Sequence, residues 1–497
     1  MFKPNALFYT DGYKVGHKRM LAKGTKKLYG TWIPRSTKHA PASIDKIVSF
    51  GQQLAIRWLH DLFKDNFFAL TKEEVSDFGK DMSLYLTQEY NADHFLALYD
   101  LGYLPIKIKS LPEGIETPPN VPHMTFINTV DGFAWLTLYL ETIISSLAWK
   151  PSTSATIALK YRRVANEWVK KTDMSNLWLV DYICHDFSAR GLSPWDMLSS
   201  GLGHSTSFRG SDTLIVIPAA RYYYNEPQDK TCLNSVNASE HSVSTTKIFT
   251  VGEQNMISDW LEEFPTGILS IVSDTFDLWK LVTEYLPALK PEIMARDGKL
   301  VIRPDSGDPL DIICGEFESV TDGESDKMLP LENAKTPKEK GLIELLWNIF
   351  GGTVNEQGYK VLDPHIGAIY GDSINLNRQL EVYKRLAAKG FAATNIVLGV
   401  GSFTYQFNTR DTFGWAAKGT WFETDGGTYD IYKDPVTDDG TKKSLKGLIC
   451  IDENCQVKTQ CTIEEENEGI LQVIYDNGKF HNETSLELIR KRLGEIL

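Results

Sequence analysis

The residues from Arg303 to Asp308 combine side chains that can hold a phosphorylated ligand. Arg303 carries a guanidinium, which grips a phosphate through two parallel N–H groups. Asp305 can take a hydroxyl or a hydrated Mg2+. Ser306 and Gly307 add a hydroxyl and backbone amides in a tight turn. The neighbouring residues say how that turn is built. Leu300, Val301 and Ile302 form a β-favouring apolar run, too short for a helix and so a buried strand. Pro309 suits the first turn of a helix, with Asp308 as its N-cap. A strand ends, a polar turn follows, and a helix begins whose partly positive N-terminus suits an anion. The same residues also fit an ordinary strand-to-helix turn with a local Arg–Asp pair, so the turn alone defines no function.

The arrangement recurs from Pro151 onward without sequence repetition. A helix is predicted over Ser154–Lys171. The run Trp178–Ile183 reads as a strand, followed by the polar cluster HDFSARG (His185–Gly191) and a helix from Pro194. Gly210-Ser211-Asp212 precedes a predicted strand, Thr213–Ile217. Ser239-Glu240-His241-Ser242 comes next. Ile268–Val272 is followed by Ser273-Asp274 and a helix from Thr275. Ile366–Tyr370 is followed by Gly371-Asp372-Ser373 and a helix ending at Lys389-Gly390, and Asn395–Leu398 by Gly399-Val400-Gly401-Ser402. Such alternation favours a parallel sheet. Polar residues gathered after the strands match the catalytic face of a β/α barrel, although a doubly wound open sheet gives the same one-dimensional pattern.

The first 150 residues read differently. Leu28–Ile33 is a predicted strand ending at Pro34-Arg35, Ile44–Leu70 a helix, and Thr71 with Glu74 the capping box of another. Leu104, Ile106 and Ile108 alternate with lysines as in a half-exposed strand, and Pro112–Pro122 reads as turns. Beyond Arg410 strands return: Leu448–Ile451 and Gln456–Thr459 form a predicted hairpin, Asp476-Asn477-Gly478 marks a turn, and Thr484 with Glu487 starts a last helix. The expected organisation is an α+β domain over residues 1–150, completed by 411–497, and a barrel-like catalytic domain over 151–410. Gly315–Lys340 is a polar insertion in the latter.

The 497 residues carry a net charge of −13, which argues against nucleic acid as the main partner; an anionic ligand needs local cations instead. The Phe133–Trp149 segment is short for a membrane span and carries Glu141. Met1–Asp11 has no apolar signal-peptide core. Six scattered cysteines read as reduced thiols in a cytoplasmic protein.

Taken in order, HDFSARG, GSDT, SEHS and RPDSGDP, with TDGYKVGH at Thr10–His17, GDSIN at Gly371–Asn375 and YKDPV at Tyr432–Val436, resemble the nicotinamide phosphoribosyltransferases of the type II phosphoribosyltransferase family. The resemblance runs from Asp11 to about Lys446. It implies an irregular β/α barrel joined to an α+β domain built from both chain ends, and a head-to-tail homodimer with two shared active sites. It implies transfer of the phosphoribosyl group of phosphoribosyl pyrophosphate to nicotinamide. By motif, Phe187 and Tyr13 of the other subunit would sandwich the pyridine ring, with His185 and Asp11 nearby and Asp212 accepting from the carboxamide. Arg190, Arg303, Gly371, Asp372 and Gly401 would bind the ribose phosphate. Arg35, Arg410, Lys418 and Lys433 would meet pyrophosphate or nucleotide phosphates. His241 resembles a histidine phosphorylated by ATP, and Glu240, Asp277 and Asp305 would surround Mg2+, mostly through water.

The chain departs from the family pattern in its phosphate loop, GVGSFTYQF, where Ser402-Phe403-Thr404 replace small residues, and at Ala416, which stands where the family has a serine. Three other readings compete. In nicotinate phosphoribosyltransferase the substrate's carboxylate would be repelled by Asp212. A non-catalytic interaction protein has no need of the Arg303, Asp305, Asp212 and His241 set. A barrel metal hydrolase would need a close histidine pair of metal-ligand spacing, which the sequence lacks.

Overall fold

The structure is a computed structural model and describes residues 3–41, 44–321, 326–435, 437 and 444–494. The chain forms two units. Unit 1 comprises Met1–Thr156, Pro218–Gln228 and Asn408–Gly494; unit 2 comprises Ile157–Ile217 and Asp229–Phe407. The boundary expected at residue 150 falls inside one continuous helix, Glu141–Thr172, which carries Pro151.

Unit 1 is built on a seven-stranded antiparallel sheet to which both chain ends contribute. Its order is Gly427–Asp430, Ala416–Thr424, Lys27–Ile33, Met124–Asn128, Ile106–Ser110, Gln472–Asp476, Lys479–Phe480. The strand Lys27–Ile33 is buried along nearly its whole length. Its bulge falls between Tyr29 and Gly30, where a Cβ on Gly30 would sit 2.6 Å from the Phe126 ring. Trp32 and Trp415, both fully buried, stack with centroids 3.9 Å apart. The expected half-exposure of the Ile106 strand is corrected at Lys109, which is buried against Glu466 at 2.6 Å. The long helix predicted over Ile44–Leu70 is shorter, Gln52–Phe63 continued by a π turn, because Gly51 enters it at φ 88°. The Thr71–Glu74 capping box is present, the last helix starts one residue later than expected at an N-cap Ser485, and Asn477-Gly478 turns a tight hairpin.

Unit 2 contains six parallel strands, β1 (Cys184–Asp186), β2 (Asn237–Ala238), β3 (Thr266–Val272), β4 (Asp297–Arg303), β5 (Ile366–Tyr370) and β6 (Ile396–Val400). Their order is β1-β6-β5-β4-β3-β2. The two edges approach each other through single parallel bridges, Asp186 to Ser211 and Gly210 to Asn234, and Asn234 runs on into β2. The sheet therefore curls into an irregular barrel. Every residue of β5 is buried, as expected for strands covered by helices. Among those helices, Leu342–Phe350 buries Leu342 and Leu346, and Leu376–Ala388 buries Val382, Tyr383 and Leu386.

Two predicted strands are not strands. Trp178–Ile183 lies mostly in a 3-10 segment, Met174–Asp181, and Thr213–Ile217 is a turn leading into the helix Val216–Tyr224. Short apolar runs carry no periodicity that separates the two states. The insertion predicted over 315–340 contains an antiparallel hairpin, Phe317–Thr321 with Asp326–Pro330; residues 322–325, and Val436 of YKDPV, lie outside the described residues. Among the described residues, no helix is long and apolar enough to cross a membrane.

Candidate active site

The C-terminal ends of the barrel strands open onto a cavity of about 990 Å3 in unit 2. The clusters that follow strands arrive there within four residues of the strand end. β1 delivers Phe187 and Arg190, β2 delivers Glu240 and His241, and β4 delivers Asp305, with Arg303 as its own last residue. β5 delivers Gly371 and Asp372, and β6 delivers Gly401. Asp212 joins from the loop that bridges to Asp186.

The end of the cavity around Phe187 and Asp212 is tightly specified. The Phe187 amide donates to Val400 O at 2.9 Å, which ties β1 to β6. A Cβ on Gly399 would lie 2.7 Å from the Phe187 ring and 2.9 Å from Tyr370 O, so only glycine lets β6 pass beneath it. The His185 ring tilts against Phe187 with centroids 4.7 Å apart. His185 Nε2 lies 3.0 Å from Asp212 Oδ1, and the Ser235 hydroxyl donates to the same oxygen. Burial pushes the Asp212 carboxyl up, but the hydrogen bond and charge of His185, the Ser235 hydroxyl and Arg303 outweigh it. Its pKa therefore lies below the ordinary carboxylate value, and Asp212 is an anion at neutral pH.

The other end centres on Arg303. One terminal nitrogen donates to Ser239 O, while the buried Nε has no protein partner. Burial lowers the pKa of Arg303, and Asp305, Asp212, Asp274 and Glu240 hold it up, so it remains a cation. The RPDSGD turn is fixed from outside itself: Asp274 Oδ2 accepts from the amides of Asp305 and Ser306 at 2.9 and 2.8 Å. The predicted N-cap holds, Asp308 accepting from Leu310 N at 2.8 Å, but the helix behind it spans only Pro309–Cys314. The Gly371 amide donates to Pro304 O at 3.3 Å and so binds the turns after β4 and β5 together.

Between the two ends stands His241, the first residue of the helix His241–Val251. Its Nδ1 meets the Thr275 hydroxyl at 3.1 Å; its Nε2 faces Asp305 at 3.3 Å and Asp274 at 3.6 Å. These three residues offer ligand atoms within 4.8 Å of one another, and Asp274 Oδ1 is buried without a hydrogen bond. An oxygen-rich pair of carboxylates with a spare lone pair fits a hydrated Mg2+. Asp277 caps the helix Leu278–Lys280 through Lys280 N at 3.0 Å, and the acid beside His241 together with Asp305 is Asp274. The signal was available, since Asp274 follows β3 as Asp305 follows β4. Ser235, Thr275 and Ser239 carried no such signal.

The remaining candidates lie in unit 1. Arg35 and Lys418 line a small pocket of about 30 Å3 with Ser444 and Asn120. Arg35 Nε donates to Gly414 O at 3.0 Å. Burial depresses the pKa of Lys418; the charges of Arg35, Lys433 and Lys14 add to that, and Glu141 opposes it. Lys433 is exposed, its amide bound to the Ser444 hydroxyl at 2.8 Å. Arg410 pairs only with exposed Asp411, at 3.1 Å. Tyr13 is 65% exposed on the turn Gly12–Gly16, and Asp11 accepts from the Thr142 hydroxyl at 2.5 Å.

Barrel and cavity together define a class, α/β-barrel proteins with a polar cavity at the C-terminal ends of their parallel strands. Residues 182–482 match the nicotinate phosphoribosyltransferase (NAPRTase) family. The chain is 42% identical to the nicotinamide phosphoribosyltransferase of Acinetobacter baylyi over 516 aligned residues, covering 100% of this chain and 98% of that protein. It is 32% identical to that of Mycoplasma pneumoniae, covering 89% and 94%. Among solved structures, human nicotinic acid phosphoribosyltransferase superposes with a TM-score of 0.57 at 14% identity, covering 98% and 93%. A Pyrococcus furiosus nicotinate-nucleotide pyrophosphorylase superposes at 0.56 and 15% identity, covering 99% and 94%. The chain belongs to the nicotinate phosphoribosyltransferase family.

Proposed function

We propose that this protein transfers the phosphoribosyl group of phosphoribosyl pyrophosphate to nicotinamide, giving nicotinamide mononucleotide and pyrophosphate, a step of NAD salvage in the cytoplasm. The observation that carries the choice of base is Asp212, an anion fixed by His185 and Ser235 through one oxygen, which leaves its other oxygen to accept from a carboxamide. A nicotinate carboxylate at that position would be repelled.

The residues supply positioning and electrostatics rather than a nucleophile. Phe187 stacks on the pyridine ring and Asp212 orients its amide, so the ring nitrogen faces the anomeric carbon. As the N–C bond forms, the C–O bond to pyrophosphate breaks and its electron pair leaves with the pyrophosphate. Arg303 holds the phosphate of the ribose, and Asp305 faces the ribose as positive charge grows on it. A Mg2+ ion held by Asp274 and Asp305 would neutralise charge on the pyrophosphate. In the coupled reaction the ATP γ-phosphoryl passes to His241 and ADP leaves; mass spectrometry finding phosphate elsewhere, with His241 unmodified, would refute that assignment. Two copies of the chain share their sites, Tyr13 and the unit 1 cations of one copy completing the cavity of the other.

The deciding experiment is a turnover assay with phosphoribosyl pyrophosphate and either base. Nicotinamide mononucleotide should form at a higher kcat/KM than nicotinate mononucleotide; the reverse preference would replace this reading with the nicotinate one.

A further inference from the structure

One carboxylate beneath the cavity has no part in the chemistry above. Asp186, the last residue of β1, is fully buried. It lies between the two residues that would read the base. Its Oδ1 accepts from Ser188 N at 2.9 Å, across the Phe187 peptide. Its Oδ2 accepts from the Thr213 hydroxyl at 2.7 Å and the Ser211 hydroxyl at 3.3 Å, on either side of Asp212. The backbone repeats the tie: Asp186 N donates to Gly210 O at 3.1 Å, and Asp212 N donates to Asp186 O at 3.0 Å. The Gly210–Thr213 segment has little else in the way of a ladder, since it joins the sheet by isolated bridges only. From below, buried His204 adds a contact from its Nε2 to Gly210 O at 3.1 Å, with Nδ1 held by Tyr405 OH at 2.8 Å.

We propose that Asp186 is a specificity-positioning residue: by gripping both loops with one carboxylate, it sets the spacing between the stacking ring of Phe187 and the amide acceptor Asp212. Asp186 touches no substrate. An ionised carboxylate can accept from all three donors at once, whereas an asparagine that keeps its oxygen on the Ser188 amide turns its NH2 towards the Thr213 and Ser211 hydroxyls, both of which then lose their acceptor. Those hydroxyls can then only reverse to accept from the NH2. A mismatch there moves one loop relative to the other and leaves each loop's own residues intact. The inference rests on the reading of the base site given under Proposed function, and the test separates the two.

The experiment compares wild type with Asp186→Asn, Thr213→Val and Thr213→Ser, measuring KM and kcat for nicotinamide, nicotinate and phosphoribosyl pyrophosphate, together with melting curves. Wild type should prefer nicotinamide; if it does not, the reading of the base site fails and takes this inference with it. Given that preference, Asp186→Asn should raise the KM for nicotinamide about ten-fold or more, with KM for phosphoribosyl pyrophosphate within about two-fold and the preference over nicotinate eroded. Thr213→Val removes a single tie and should move the same quantities about three- to ten-fold, while Thr213→Ser, which keeps the hydroxyl, should stay near wild type. Should Asp186→Asn fail to fold, the Thr213 pair decides. Unchanged KM and preference in folded Thr213→Val, or a loss shared equally by all three substrates, would overturn the proposal and leave Asp186 a purely structural carboxylate.

Discussion

In unit 2 the charged groups at and just beneath the cavity are held by the fold itself. Asp274 is fixed by two backbone amides of the neighbouring turn, Asp212 by His185 and Ser235, and Arg303 by Ser239 O. In unit 1, Arg35, Lys418 and Lys433 gather with the same sign, and Lys418 is destabilised as a cation by burial and by its neighbours. One region therefore presents a finished arrangement of acids around an arginine, and the other a cluster of cations whose repulsion an anionic ligand would relieve. The contrast follows from what carries each group. Residues at the ends of parallel strands are pinned by the adjacent strands' turns. Lys418 projects from a strand of a mixed-burial antiparallel sheet, Ala416–Thr424, into a small pocket with Arg35, Asn120 and Ser444.

The contrast can be broken most severely at Arg303. Arg303→Ala should lower kcat/KM for phosphoribosyl pyrophosphate by about 100- to 1000-fold, the loss typical of removing one partner of a buried, charge-assisted contact, here to the ribose phosphate. A loss below ten-fold in a folded variant would mean that the cavity is not the phosphate site. Asp212→Asn comes next. It should lower kcat/KM for nicotinamide by about ten- to a hundred-fold and leave nicotinate unharmed or improved, since a repulsive element goes with the hydrogen bond. Equal losses for both bases would show Asp212 to be a turn residue only.

Tyr13 of unit 1 and Phe187 of unit 2 test whether the two regions work across copies. Inactive Tyr13→Ala mixed equally with inactive Phe187→Ala should regain about a quarter of wild-type activity, since half of the randomly exchanged dimers carry one intact site of two. Exchange demonstrated without recovery would refute a shared site. The smallest effect concerns Lys418. Its folded pKa lies below the ordinary lysine value, so its charge costs folding stability at lower pH, and that cost is relieved as pH rises through the folded pKa towards the unfolded one. A pyrophosphate ligand needs the charged form, so affinity should fall with rising pH sooner than for an ordinary lysine. Lys418→Arg, which keeps its charge, should flatten the wild-type pH profile of pyrophosphate binding by a few-fold. Identical profiles would assign that pH dependence to another group.

Much of unit 2 was legible because its strands and turns are local. Leu300-Val301-Ile302 followed by RPDSGDP forms strand, turn and capped helix within thirteen residues, and each part has its own sequence signal. That the sequence does not single out Asp274 has another origin: which of two acids near a strand end stands beside His241 depends on helix capping, and Asp277 is used as a cap. Thr213–Ile217 misled because TLIVI suits a strand by composition, yet Thr213 is held in a turn by Asp186 and the residues that follow wind into a helix. Lys109 read as a solvent-facing lysine because its partner Glu466 is some 350 positions away in the chain.

The ring of strands is not closed evenly. From β1 through β6, β5, β4 and β3 the ladder is continuous, whereas between β1 and β2 it is stitched by one residue pair at a time. Asp212 hangs from this seam. Changes in the seam sacrifice few ladder hydrogen bonds, while the continuous wall beside it keeps the turns after β4 and β5 in place. On the proposed reading of Asp212, a lineage on this scaffold can therefore exchange one ring substituent for another by rewriting a few residues between Gly210 and Ser235, with those turns left untouched.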